Sequence, residues 1–141
     1  MHATSRKLLL VTTAIVETAT GVGLLFVPAV VFALLLGSEP AAVDATVVGR
    51  IAGAALLAIG IASWMARTAM STPAQLRFLT GMLVYNVAAS MLLAFAGAVL
   101  KMTGILLWPA VALHAVLAVC CFTCLRSDSF AEESHRKAVD R

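Results

Sequence analysis

Residues Leu8–Leu36 read LLLVTTAIVETATGVGLLFVPAVVFALLL, an almost unbroken apolar run with one charged residue, Glu17. As one straight helix this run would be roughly 43 Å long at about 1.5 Å per residue, against a bilayer hydrocarbon core of about 30 Å. Pro28 lacks a backbone N–H and clashes with the preceding helical turn. We therefore expect a membrane-spanning helix over Leu8–Val27 and a bent extension over Pro28–Leu36, with the first helix kinked or broken at Pro28.

Three further apolar stretches of membrane-spanning length follow, at about Thr46–Ala66, Leu76–Leu100 and Ile105–Leu125. Of the 141 residues, 62% are hydrophobic and 12% are charged, against roughly 25% charged residues in an average soluble domain. The mean hydropathy is +1.01. A soluble core cannot hide this much apolar surface. The composition therefore predicts an all-α integral membrane protein whose main partner is the lipid bilayer.

The basic residues flank the apolar stretches, which explains the net charge of +3 without a nucleic-acid partner. Four alternating spans would place most of these residues on one side of the membrane. They are Arg6, Lys7, Arg67, Arg77, Arg126, Arg136, Lys137 and Arg141. By the positive-inside rule, we expect the N-terminal tail (residues 1–7) and the polar C-terminal tail (residues 126–141) both to be cytoplasmic.

Short loops and small residues indicate how the spans pack. The loops Ser38–Ala45 and Arg67–Gln75 are too short to separate consecutive spans, so neighbouring helices should run antiparallel. Gly49, Gly53 and Gly60 lie in the second span, where small residues allow membrane helices to approach closely. The predicted fold is therefore an integral-membrane antiparallel four-helix bundle with these glycines in a packing face.

Three polar side chains fall near the middle of the predicted spans. Counting helical rise from the nearest cytoplasmic basic residue, Glu17 lies roughly 15 Å deep, Asn86 roughly 13 Å and His114 roughly 18 Å. We expect them to meet in one layer, with Tyr85 near its edge. Such a layer is either a structural clasp, in which a protonated Glu17 donates to Asn86 or His114, or a small pocket that binds a polar group or relays a proton.

Arg50 lies near the outer membrane interface, roughly 25 Å from the cytoplasmic end of its span. It can extend outward to lipid phosphate or bond Glu39 or Asp44, because long basic side chains near helix ends reach toward the interface. The alternative is an ion pair with Glu17 across a water-filled cavity. This pair would have to bridge roughly 10 Å between the two residues along the helix axes. With that alternative kept, the candidate ligand-binding residues are Glu17, Arg50, Tyr85, Asn86 and His114.

The cysteines Cys120, Cys121 and Cys124 cluster in the fourth span. Cys121 and Cys124 have C-x-x-C spacing, but a metal ion needs further ligands, and His114 is two helical turns from Cys121. Buried cysteine commonly serves as a small hydrophobic residue. The sequence has no phosphate-binding loop, dinucleotide fingerprint, nucleophile elbow or zincin helix. We therefore expect no metal, no cofactor and no catalytic residue.

Four segments carry a resemblance to known proteins. They are Glu17–Gly37 (ETATGVGLLFVPAVVFALLLG), Arg50–Arg67 (RIAGAALLAIGIASWMAR), Gly81–Asn86 (GMLVYN) and Leu106–Ala115 (LLWPAVALHA). The chain resembles small uncharacterised four-span membrane proteins of bacteria, and its layout is similar to that of DoxX-like and related families of unknown function. The resemblance implies a four-helix bundle in a bacterial inner membrane. It implies no established activity.

The sequence favours a non-enzymatic membrane protein that binds a small apolar ligand or a lipid, or acts as a helper protein, through its polar layer. One alternative is a small proton-coupled transporter or membrane enzyme that uses Glu17 and His114 for proton transfer. Another alternative is a structural subunit of a larger membrane complex, or a homo-oligomer, that packs through Gly49, Gly53 and Gly60.

Overall fold

The computed structural model describes residues 3–40, 42–68 and 73–139, and every regular element in these ranges is a helix. The helices are α1 (Ala3–Phe26), α2 (Pro28–Leu36), α3 (Val43–Ala66), α4 (Pro73–Ala98) and α5 (Leu107–Val139). Four of them, α1, α3, α4 and α5, are long and apolar enough to cross a membrane. The prediction of an all-helical chain with four such helices is confirmed.

The helix bounds differ from the apolar stretches by a few residues. Helix α1 begins at Ala3 rather than at Leu8, and α5 runs on to Val139. Residues 3–7 and 126–139, which the sequence suggests as tails, are thus helical. Helix propagation continues as long as each added residue makes its backbone hydrogen bond, whereas hydropathy marks only the apolar part of a helix. Residues 1–2 and 140–141 lie outside the described ranges.

The boundary between α1 and α2 lies at Val27, whose φ of −133° and ψ of 56° are not helical. Pro28 is the first residue of α2, a position where its missing N–H removes no helical hydrogen bond. Helix α2 ends at Gly37, which has a φ of 83° and donates its N–H to the Ala33 carbonyl at 3.0 Å. Glycine suits this left-handed position because it has no Cβ.

The closest packing lies within two helix pairs, α1 with α3 and α4 with α5. Glycines allow the α1–α3 approach: a Cβ on Gly53 would lie 2.8 Å from the Gly21 carbonyl oxygen, and one on Gly60 would lie 2.9 Å from the Thr18 nitrogen. Contact between the two pairs is much less extensive and includes contact of α1 with α5. This looser interface leaves room for a site between the pairs.

Helix α2 packs against α3 and α5 near the start of α5. The Leu106 N–H donates to the Leu34 carbonyl at 2.9 Å, which joins the end of α2 to the segment before α5. Gly104 is buried against the backbone of Leu34 and Leu35, so a side chain there would clash. The α2 segment thus closes one end of the helix assembly.

The buried core and the outer surface are both apolar. The main buried cluster draws residues from α1, α4 and α5, namely Leu9, Leu10, Leu79, Met82, Leu117, Cys121 and Cys124. Large apolar side chains also point outward: Ile15 is 61% exposed, Val84 65% and Met91 68%. A soluble protein rarely exposes extended apolar surface, and here that surface suits contact with lipid.

Candidate functional site

Glu17 is a carboxylic acid buried in the middle of α1, with 1% of its surface exposed. The Tyr85 hydroxyl on α4 donates a hydrogen bond to its Oε2 oxygen at 2.9 Å. Its other oxygen, Oε1, is buried and has no hydrogen-bond partner among the described residues. Burying a polar atom without a partner is unfavourable, so Glu17 is only half satisfied by the protein itself.

Asn86 and His114 form a second pair beside Glu17. The Asn86 Nδ2 group donates to the Met82 carbonyl at 2.7 Å, and Asn86 Oδ1 lies 2.9 Å from His114 Nδ1. Because Nδ2 faces a carbonyl, Oδ1 is the acceptor and His114 Nδ1 must carry a proton. A neutral His114 therefore presents Nε2 as a hydrogen-bond acceptor.

Tyr85 joins the two pairs. Its hydroxyl reaches Glu17, and its ring packs edge-on against the His114 ring, with centroids 5.6 Å apart and planes at 86°. The structure thus brings the predicted residues Glu17, Tyr85, Asn86 and His114 together. Tyr85 is the link rather than an edge residue, and Glu17 accepts from Tyr85 instead of donating to Asn86 or His114.

A cavity of about 300 Å³ adjoins these residues, between the two helix pairs. Its polar side chains are Glu17, Thr20, Tyr85 and His114, and the rest of the lining is apolar. The apolar lining comes from Val16, Leu24, Leu35, Leu56, Ala89, Leu92, Leu93, Ala110 and Leu113. An apolar cavity with a few convergent polar groups is the usual form of a small-molecule site.

A second cavity of about 240 Å³ lies next to the first and shares Leu24, Leu35 and Leu93 with it. Its remaining lining comes from α2 and α3, namely Val31, Phe32, Leu36, Val48, Gly49 and Ala52. Among the residues that the structure describes, no polar side chain lines this cavity. The two cavities are therefore adjacent, with polar groups in the lining of the first and only apolar groups in the lining of the second.

Arg50 lies apart from this site. Its side chain is exposed, and it lines neither cavity. Among the described residues it has no ion pair with Glu17, Glu39 or Asp44. The residue one position earlier, Gly49, instead borders the second cavity and packs against Phe32 of α2. Gly53 and Gly60 face α1, so α1 and α2 of the same chain cover the predicted packing glycines.

A polar cluster that the sequence analysis missed joins α1 to α4 near their N-terminal ends. Arg6 is only 9% exposed and donates to the Gln75 side-chain oxygen at 3.3 Å. The Gln75 amide donates in turn to the Ala66 carbonyl at 3.0 Å. The sequence spacing indicated this burial, because Arg6, Leu10, Thr13 and Glu17 fall on one face of a helix.

The cysteines of α5 lie in the apolar cluster. Cys121 and Cys124 are buried in the apolar cluster as thiols rather than as a disulfide. Within the described part of the chain, no group of three or more histidine, cysteine or acidic side chains is placed to hold a metal ion. Both cysteines contribute to packing between α5 and its neighbours.

No protein-family model, curated protein or solved structure matches this chain.

Proposed function

We propose that this chain is a multi-pass membrane protein that binds a small apolar or amphiphilic ligand, such as a lipid, in the cavity between its two helix pairs. One observation carries the proposal: a cavity of about 300 Å³, mostly apolar, includes in its lining a buried carboxylic acid with an unpartnered oxygen. A ligand with a polar head would satisfy that oxygen, and its apolar part would fill the remaining space.

The proposed setting is an antiparallel four-helix bundle in a bacterial inner membrane, with the first helix broken at Pro28 and both termini cytoplasmic. The order of contacts supports the antiparallel arrangement of α4 and α5. Asn86 contacts His114, whereas Ser90, one turn later, bonds the carbonyl of Val111, about one turn earlier. The distribution of basic residues supports the orientation, and the resemblance to bacterial four-span proteins supports the membrane.

The chemistry of the site supports binding more than a purely structural clasp. A clasp would satisfy its own polar groups, as Asn86 does with both ends of its amide. Glu17 instead keeps one buried oxygen without a partner and lines the cavity. Buried polar groups in membrane proteins commonly mark sites of function, and this one is beside an open space.

Proton transfer is a second candidate, and the position of Tyr85 favours it. Its hydroxyl bonds Glu17 while its ring contacts His114, so one side chain touches both titratable groups. A transporter or membrane enzyme would use Glu17 and His114 as proton donor and acceptor. Proton flux into vesicles that is lost in Glu17→Gln would favour this role over simple binding.

Two adjacent alanines provide a matched test of ligand binding. Ala89 lines the cavity, whereas Ala88 is exposed on the outer surface of the same helix. A phenylalanine at position 89 would occupy part of the cavity, and one at position 88 would face lipid. We expect a stoichiometric small molecule to co-purify with the wild type and Ala88→Phe, and to be absent from Ala89→Phe.

The measurement is native mass spectrometry of protein gently extracted from its own membrane, with lipid analysis of the released molecules. Circular dichroism and thermal unfolding should show that both variants are folded. A wild-type protein that carries no small molecule, or an equal amount retained by both variants, would contradict the binding proposal. A chain found only in complex with another membrane protein would favour the structural-subunit alternative.

A further inference from the structure

We infer that the ligand is a cationic amphiphile, with an ammonium head that donates hydrogen bonds to Glu17 and His114 and an apolar tail that extends into the second cavity. This inference rests on the proposed binding function and specifies the charge and shape of the ligand. It follows from the charge of the cavity, the hydrogen-bonding state of its polar groups and the position of the second cavity.

The charge balance of the cavities favours a cation. Within the described part of the chain, Glu17 is the one acidic residue that lines either cavity, and no arginine or lysine lines them. Arg50 is exposed and lines neither cavity, while Arg6 bonds Gln75 and lies roughly 16 Å from Glu17 along α1. A carboxyl group buried this deeply is ionised only when a partner of opposite charge lies beside it, and the described residues do not supply one. An ammonium group would supply that charge.

The hydrogen bonds already made determine what the head must offer. Tyr85 occupies Glu17 Oε2, and Oε1 is buried without a partner among the described residues, so a head group reaches it after a small shift of the side chains that cover it. Asn86 occupies His114 Nδ1, which leaves the Nε2 lone pair of the neutral ring. Both remaining atoms accept hydrogen bonds when Glu17 is ionised, so the head must donate them. An ammonium has several N–H donors, whereas a phosphate or carboxylate head offers acceptors and a like charge.

The second cavity sets the shape of the tail. It adjoins the first at Leu24, Leu35 and Leu93 and has no polar side chain in its lining. Leu24 lies about 10 Å from Glu17 along α1. A short alkyl chain attached to a head group at Glu17 is therefore long enough to reach the second, apolar cavity. Burial of that alkyl chain contributes to affinity.

Three probes with the same alkyl chain and different heads test the inference. Decylamine, which is an ammonium at neutral pH, decanol and decanoate would be titrated into the full chain in neutral maltoside micelles, with native mass spectrometry to count bound molecules. We expect decylammonium to bind one per chain, about tenfold more tightly than decanol, with decanoate weakest, because a charge-assisted hydrogen bond exceeds a neutral one.

Variants separate the head-group inference from the binding proposal. Glu17→Gln should weaken decylammonium binding about tenfold and change decanol binding less than about threefold, while Glu17→Asp retains the preference for the cation. Decanoate bound as tightly as decylammonium by the wild type, or decylammonium binding unchanged in folded Glu17→Gln, would overturn the inference. If Glu17→Gln does not fold, the wild-type ranking and Glu17→Asp decide.

The alanine pair shows which proposal fails. In one outcome, Ala89→Phe abolishes binding of all three probes, Ala88→Phe does not, and Glu17→Gln has no effect on binding. That outcome would retain the cavity as a binding site and reject the cationic ligand. Equal binding of every probe by Ala88→Phe and Ala89→Phe would reject both the cavity site and the inference built on it.

Discussion

At the level of single residues, the polar layer divides into two pairs with different properties. Asn86 is fully buried and uses both ends of its amide, toward the Met82 carbonyl and the His114 ring. Glu17 is equally buried and has one oxygen without a partner. The Asn86–His114 pair therefore has the character of a structural clasp, whereas the unpartnered oxygen of Glu17 supports the proposed binding role.

Asn86→Leu should destabilise the protein by about 1–2 kcal/mol, because it leaves the His114 Nδ1–H buried without an acceptor. Interhelical hydrogen bonds in membranes average only about 0.6 kcal/mol, so most of the expected loss comes from the unpaired group. The measurement is unfolding by sodium dodecyl sulfate in mixed micelles.

The double variant Asn86→Leu/His114→Leu provides the control for this prediction. It removes both partners at once, so it should be less destabilised than the two single variants together. Strict additivity of the single effects would show that Asn86 and His114 are not coupled. That result would contradict the clasp.

At the level of the helices, backbone approach rather than side-chain interlocking determines how α1 packs against α3. A Cβ on Gly53 would lie 2.8 Å from both the Gly21 carbonyl oxygen and the Leu24 Cβ. Since one neighbour is backbone, it cannot move aside without shifting α1. Gly81 on α4 is different, because a Cβ there would have no neighbouring atom within 4 Å.

Gly53→Ala should therefore lower the free energy of unfolding by about 1–3 kcal/mol, through overpacking of the α1–α3 contact. Gly81→Ala is the matched control and should be neutral or stabilising by up to about 1 kcal/mol, since alanine favours helix over glycine. Thermal unfolding in detergent would measure both. Equal stability of the two variants would show that α1 and α3 are not in close contact at Gly53.

At the level of the whole molecule, two closely packed helix pairs flank a cavity at their looser interface. The satisfied groups and the apolar cluster hold α1, α4 and α5 together on one side of the polar layer. The cavity lining continues on the other side, toward α2. This division allows the proposed ligand site to lie beside a closely packed part of the chain.

The proposed orientation places the N-terminal end of α1 and the C-terminal end of α5 in the cytoplasm. It places Ser38, between α2 and α3, on the outer side. A reporter that is active only outside the cytoplasm should be inactive when fused after Arg141 and active when fused after Ser38. A reporter that is active only in the cytoplasm should give the reverse pattern. Activity of the external reporter at the C-terminus would overturn this orientation.

The sequence predicts part of the site because depth along a helix can be read from residue numbers. A fixed rise per residue placed Glu17, Asn86 and His114 near one level, and the structure brings them together through Tyr85. Rotation about each helix axis is harder to read. Core-facing and lipid-facing sides are both apolar here, so there is no strong amphipathic pattern to fix it.

The number and type of the helices were determined by the sequence alone, because spanning length and hydropathy are local properties. Only the tertiary structure decided that Arg6 is buried on Gln75, that Arg50 lies outside the site and that Tyr85 connects Glu17 to His114. It also decided where the cavities lie. These features depend on how closely each pair of helices approaches, which is a property of several helices together rather than of any one segment.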